Sequence, residues 1–141
     1  MAEITGRCLC GEVTVRAEVT QPVLRACHCD MCRQHTSGIF FSVDTVRGSA
    51  VFEGPVRRFQ SSDWANRGFC GTCGSTLWYG QNENDVKHPA AGLFSDLGDM
   101  PLVLEFFADM CPSGYALAGD HRKLTTEETI ALFAPSQGEA S

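Results

Sequence analysis

The chain has no excess of positive charge, no apolar run long enough to cross a membrane, no internal repeat and no interdomain linker. Each lack excludes something. With 17 acidic residues against 11 basic ones, the formal net charge of −6 repels phosphate backbones, so no nucleic-acid partner is expected. The opening Met1-Ala-Glu-Ile-Thr-Gly-Arg contains nothing like an apolar leader, and no stretch approaches the roughly 18 apolar residues of a membrane span. A cytoplasmic location, with thiols kept reduced, is the expectation. Without repeats or linkers, the 141 residues read as one domain over residues 4–134, followed by a flexible tail at 135–141.

Helix signals are also scarce. Val13, Val15, Ala17 and Val19 alternate with Glu12, Thr14, Arg16 and Glu18, the period of a half-buried strand. Thr20-Gln21-Pro22 reads as a turn into a second strand at Val23–Ala26, and a hairpin of the two would bring Cys10 and Cys27 to one end of a sheet. Further strands are expected at Ile39–Val43, Ala50–Phe52, Arg57–Gln60, Thr76–Tyr79 and Leu102–Phe107, with Gln81–Pro89 as a polar loop. One helix is expected, opened by Thr125 and Glu128 as a capping box, with Ile130, Leu132 and Phe133 as its apolar side. The reading is a mainly β, mostly antiparallel domain with one short C-terminal helix.

What the chain does have is cysteine. Seven of its eight cysteines form three tight clusters: Cys8-x-Cys10-Gly11, Cys27-x-Cys29-x-x-Cys32 and Cys70-x-x-Cys73-Gly74. In a reduced compartment such spacing points to a soft metal rather than to disulfides, because a knuckle turn aims neighbouring sulfurs at one cation. Four thiolates close one tetrahedral site, and three leave a second site open. Spacing alone leaves the partition undecided. Cys8 and Cys10 could join Cys29 and Cys32 across the hairpin, or Cys70 and Cys73 from the later knuckle. Seven thiolates and two divalent zinc ions would take the net charge from −6 to about −9.

A trio of thiolates overcompensates a divalent ion, leaving a net charge of −1. Such a centre activates water weakly and favours an added soft sulfur ligand, so thiol chemistry suits it better than hydrolysis. His28 lies inside the cluster and Cys32-x-x-His35 has zinc-ligand spacing, so a histidine could close the site; a loop histidine is the blander alternative. Asp30 is either an outer-sphere orienting group or an exposed carboxylate. Arg33 and Arg67 flank the metal motifs and are candidates for binding a substrate's carboxylates, against plain surface solvation. Trp64 and Trp78 read as core, Cys111 as a lone, at least half-buried thiol, and Ser37, Ser75 and Thr76 suggest no nucleophile triad.

Three strings carry a resemblance: Gly6-Arg7-Cys8-Leu9-Cys10-Gly11, Ala26-Cys27-His28-Cys29-Asp30-Met31-Cys32-Arg33, and Phe69-Cys70-Gly71-Thr72-Cys73-Gly74-Ser75. In order and spacing, over roughly residues 4 to 80, the chain resembles the glutathione-dependent formaldehyde-activating enzyme family, which also includes the domain of centromere protein V. The resemblance implies stacked antiparallel sheets bearing zinc. It also implies a structural zinc on Cys8, Cys10, Cys70 and Cys73, and a catalytic zinc on Cys27, Cys29 and Cys32. The implied activity is a carbon–sulfur lyase reaction on S-(hydroxymethyl)glutathione or a similar adduct, with glutathione as co-substrate and a small-molecule thiol as the expected partner. The alternatives are a non-catalytic zinc module that binds a protein, and a thiol redox sensor.

Overall fold

The computed structural model describes residues 1–97 and 99–133, so the expected tail at 135–141 lies outside the described residues. In chain order these form β1 (Ala2–Arg7), β2 (Thr14–Val19), β3 (Leu24–Cys27), α1 (Asp30–Thr36), β4 (Phe40–Val43), β5 (Val51–Glu53), β6 (Val56–Gln60) and β7 (Ala65–Cys70). Then come β8 (Thr76–Gln81), β9 (Val86–Pro89), β10 (Leu102–Phe106), β11 (Arg122–Lys123) and α2 (Thr126–Phe133). The fold is mainly β, and the chain divides into two compact units. The first comprises Met1–Leu24 and Phe41–Pro101; the second comprises Arg25–Phe40 and the chain from Leu102 onward.

In the first unit, β1, β2 and β5 form an antiparallel sheet with β2 at its centre. The alternation expected for β2 is present: Val15, Ala17 and Val19 are buried, and the residues between them are exposed. The expected hairpin of β2 with β3 is not formed. Both edges of β2 are occupied, by β1 on one side and β5 on the other, so β3 belongs to a different sheet.

The order β6-β7-β8-β9 gives the unit's second, antiparallel sheet. Part of the expected polar loop at Gln81–Pro89 is therefore strand β9, an edge position that tolerates its terminal Pro89. Strand β7 is buried on both faces, which hides it from any alternation rule. Its Asn66 accepts a hydrogen bond from Trp78 Nε1 (2.8 Å) and donates to Asn82 Oδ1 (2.8 Å), so the buried amide is satisfied. Gly68 on β7 faces the indole of Trp78, where a Cβ would come within 2.4 Å of the ring. Trp78 also packs against Phe52 at 4.8 Å between ring centroids.

In the second unit β10 lies between β3 and β11, and the β10–β11 pairing is parallel. Helix α1 was not anticipated from sequence. Cys29 occupies its N-cap, and Ser37, in the left-handed conformation at φ 66°, ends it. Helix α2 has the expected capping box. Thr125 N donates to Glu128 Oε1 (2.9 Å), and Glu128 N donates to Thr125 Oγ1 (3.1 Å). Its apolar side does not turn inward: Ile130, Leu132 and Phe133 are exposed, although Phe133 still touches Phe106 at 5.2 Å. The buried residue is Thr129, whose hydroxyl accepts from Phe107 N and donates to Thr125 O.

Candidate metal centres

Two knuckles in the first unit bring four sulfurs together. After β1, Gly11 N donates to Cys8 O (3.1 Å) and Cys8 N to Val13 O (3.0 Å). At the end of β7, Gly74 N donates to Cys70 O (2.9 Å) and Cys70 N to Ser75 O (2.9 Å). Gly11 and Gly74 sit at φ 84° and φ 80°, where a side chain would be strained, so glycine lets each turn close beneath its cysteines.

The Sγ atoms of Cys8, Cys10, Cys70 and Cys73 all lie within 4.8 Å of one another. Cys8 and Cys10 are 3.5 Å apart at sulfur, and Cys10 and Cys70 are 3.8 Å apart. Four thiolates on one tetrahedral ion at ~2.3 Å would be spaced by about 3.8 Å. Amide hydrogens already point at these sulfurs, from Val13 to Cys8 (3.3 Å) and from Thr72 and Cys73 to Cys70 (3.4 Å each).

The acidities of this group pull apart. Ser75, through its hydroxyl and its amide, holds the Cys73 thiol down to about 5. For Cys8, burial opposes ionisation, but the Val13 amide and the Cys10 and Cys70 thiols outweigh it and lower the thiol below its usual value. For Cys10, the Glu12 amide favours the thiolate, yet burial and the thiols of Cys8, Cys73 and Cys70 push it up to about 12. Four crowded sulfurs do not all ionise by themselves. A soft divalent cation removes the conflict, and the donor set fits one.

The second unit assembles Cys27, Cys29 and Cys32, again with every sulfur within 4.8 Å of the others. Cys27 ends β3, Cys29 caps α1, and Cys32 is buried one turn into the helix. The C-x-x-C spacing is thus an N-cap and its third helical residue: Cys29 Sγ accepts from Cys32 N (3.4 Å) where a serine or aspartate oxygen would normally sit. The bonds Cys27 makes with Cys29 and then Cys32, with burial added, hold its thiol well above the usual cysteine range. Here too, ionising all three thiols together calls for a cation.

Neither His28 nor His35 belongs to the sulfur group among the described residues. His28 is fully buried, and its Nε2 is 2.7 Å from Glu105 Oε1. Asp30 is exposed and pairs with Arg33 Nη2 at 2.5 Å, while Arg33 Nη1 also reaches Met110 O (3.4 Å). Arg67, a candidate for a substrate's carboxylate weighed against surface solvation, is buried on β7 in the first unit, with its guanidinium 4.8 Å from the Tyr79 ring centroid. Trp78 is core as expected, but Trp64 is 61% exposed. Cys111 is half-buried, its Sγ near the carbonyls of Pro112 and Tyr115. Ser75 Oγ contacts Cys73 Sγ (3.1 Å) and accepts from Leu9 N (3.1 Å), which makes it part of the knuckle. Glu105 and His121 were missed in the sequence, where each stands alone with no motif around it.

Residues 3–109 match the sequence profile of the glutathione-dependent formaldehyde-activating enzyme family. An uncharacterized lyase of Schizosaccharomyces pombe is 30% identical over 134 residues, spanning 92% of this chain and 96% of that protein. A crystal structure of a Rhodobacter sphaeroides protein superposes with a TM-score of 0.56 at 20% identity, over 71% of this chain and all of the other, a likeness of fold. Family profile, lyase relative and two sulfur groups agree, and the chain belongs to the glutathione-dependent formaldehyde-activating enzyme family.

Proposed function

We propose that the protein is a zinc-dependent carbon–sulfur lyase acting on a glutathione-type thiol adduct, of the S-(hydroxymethyl)glutathione kind. The observation that carries this reading is a group of three convergent cysteine sulfurs, Cys27, Cys29 and Cys32, with no fourth protein ligand in the group among the described residues. Zinc held there would supply a soft Lewis-acidic centre able to take up a thiol sulfur. On the same reading, zinc on the complete Cys8–Cys10–Cys70–Cys73 group is structural.

The chain's own residues have distinct tasks. Cys27, Cys29 and Cys32 hold the ion, and the Cys32 amide keeps the Cys29 sulfur oriented. Arg33, one turn along α1, carries a guanidinium already set by Asp30 and Met110 O, suitably shaped to pair with a peptide carboxylate. Arg67, the other arginine candidate for a glutathione carboxylate, lies in the first unit with its guanidinium buried against Tyr79. The lyase name of the yeast relative and the family's own name support the reaction class.

Titration calorimetry on the zinc-loaded protein tests the assignment. Glutathione should bind weakly, at roughly 0.1–1 mM, where many enzymes place their substrate constants. S-methylglutathione should bind worse, and Arg33→Ala should weaken binding of the thiol. No detectable binding of glutathione or its hydroxymethyl adduct at several-fold higher concentration removes the glutathione assignment.

A further inference from the structure

One carboxylate in the second unit is shared by two histidines. Glu105 on β10 is 4% exposed; its Oε1 is 2.7 Å from His28 Nε2, and its Oε2 meets His121 Nε2 in a short contact. His28 is fully buried, its ring 6.5 Å from that of Tyr115, and its Nδ1 has no hydrogen-bond partner among the described residues. An ionised carboxylate only accepts hydrogen bonds. Each histidine must therefore present an Nε2–H to Glu105, and a neutral His28 then keeps its lone pair on Nδ1.

The backbone repeats the grip. His28 N donates to Phe106 O (3.1 Å), so side chain and main chain of His28 are fastened to two successive residues of β10. Glu105 is braced from its other side, where its carbonyl accepts Leu124 N (2.9 Å) and it pairs in register with Lys123 of β11. Cys27 and Cys29 flank His28 directly. Burial works against the Glu105 charge, but bonds from His121 and His28 outweigh it and keep the carboxyl below its usual range.

We propose that Glu105 is the positioning residue of the cysteine trio. By fixing the Nε2–H tautomer of His28, it holds the peptide that carries Cys27 and Cys29 at the spacing their common cation needs. The inference rests on reading the trio as a metal centre. His121 completes the device by occupying the second carboxylate oxygen, so that the carboxylate cannot rotate away from His28.

The test is Glu105→Gln in the full-length chain. A glutamine offers one accepting oxygen and one donating nitrogen, so one of the two histidines must change tautomer or lose its bond. Cobalt titration, followed by the thiolate-to-cobalt absorption band, should show trio affinity falling 10- to 100-fold, the usual cost of losing an outer-sphere partner, with the four-cysteine group still filled. Nitrogen-15 spectra of the imidazoles, at a pH where they are neutral, should give Nε2–H for His28 and His121 in the wild type. Glu105→Asp keeps both accepting oxygens and should restore the wild-type tautomers with intermediate affinity. An Nδ1–H tautomer at wild-type His28, or unchanged cobalt affinity in E105Q, overturns the proposal. The wild-type spectrum decides even if E105Q fails to fold. A trio that takes no cobalt in the wild type instead overturns the metal reading, and the tautomers separate the two failures.

Discussion

The sulfurs of Cys10 and Cys70 are 3.8 Å apart, although sixty residues separate them in the chain. A cation on this group ties the knuckle after β1 to the one that ends β7. Structural zinc sites contribute on the order of 10 kcal/mol of binding free energy that counts toward folding. Cys70→Ser should lose one equivalent of metal and unfold at a much lower temperature. A soluble, fully metal-loaded and equally heat-stable C70S protein is the result that would sink the structural role.

Cys29→Ser should behave differently. The trio is positioned by β3 and α1, and its loss removes one N-cap acceptor, which serine can replace. The variant should stay folded, keep one equivalent of metal and lose thiol-dependent activity. Metal counting by emission spectroscopy together with circular dichroism checks this, and global unfolding would assign Cys29 to the fold's main support.

Gly68→Ala should destabilise the first unit by roughly 1–3 kcal/mol, the usual cost of forcing an extra carbon into a packed site. The added Cβ would meet Trp78, which the Asn66 bond and the Phe52 ring keep from moving. The midpoint of urea unfolding reads the effect, and an unchanged midpoint rejects it.

Acid should weaken the Glu105 clamp in a definite direction. Its folded acidity constant lies below the ordinary carboxylate value, so its stabilisation is complete above that value and is lost as pH falls through the folded one. The stability gap between wild type and E105Q should thus be fully present above the ordinary carboxylate range and close as pH falls below it. A gap that grows as pH falls through the carboxylate range would reverse the sign.

Much of the candidate site was legible because cysteine spacing is local information. The three clusters, the β2 alternation and the Thr125–Glu128 capping box are short-range patterns, and all are present in the fold. What spacing left open was which sulfurs meet, because that depends on strand order. The assumed β2–β3 hairpin would have favoured the wrong neighbours. Helix α1 was hidden because its capping residue is a cysteine rather than a serine or aspartate. Strand β7 was hidden because Asn66 and Arg67 are buried polar residues, satisfied in part by partners distant in sequence. Glu105 was invisible for a related reason: its two histidine partners lie at positions 28 and 121, on either side of it.

The spans of the two sulfur groups also set a timetable for metal uptake during synthesis. Cys29 and Cys32 are three residues apart, and Cys27 is two residues earlier, so these sulfurs can gather as soon as a short segment leaves the ribosome. The other group must close a loop of sixty residues between Cys10 and Cys70, at an extra entropic cost on the order of 2–3 kcal/mol. The nascent chain can therefore bring the trio's sulfurs together before the stapling group, which must wait for β7. Glu105 on β10 emerges later than either group, so an ion met early at the trio would be held without the clamp proposed above.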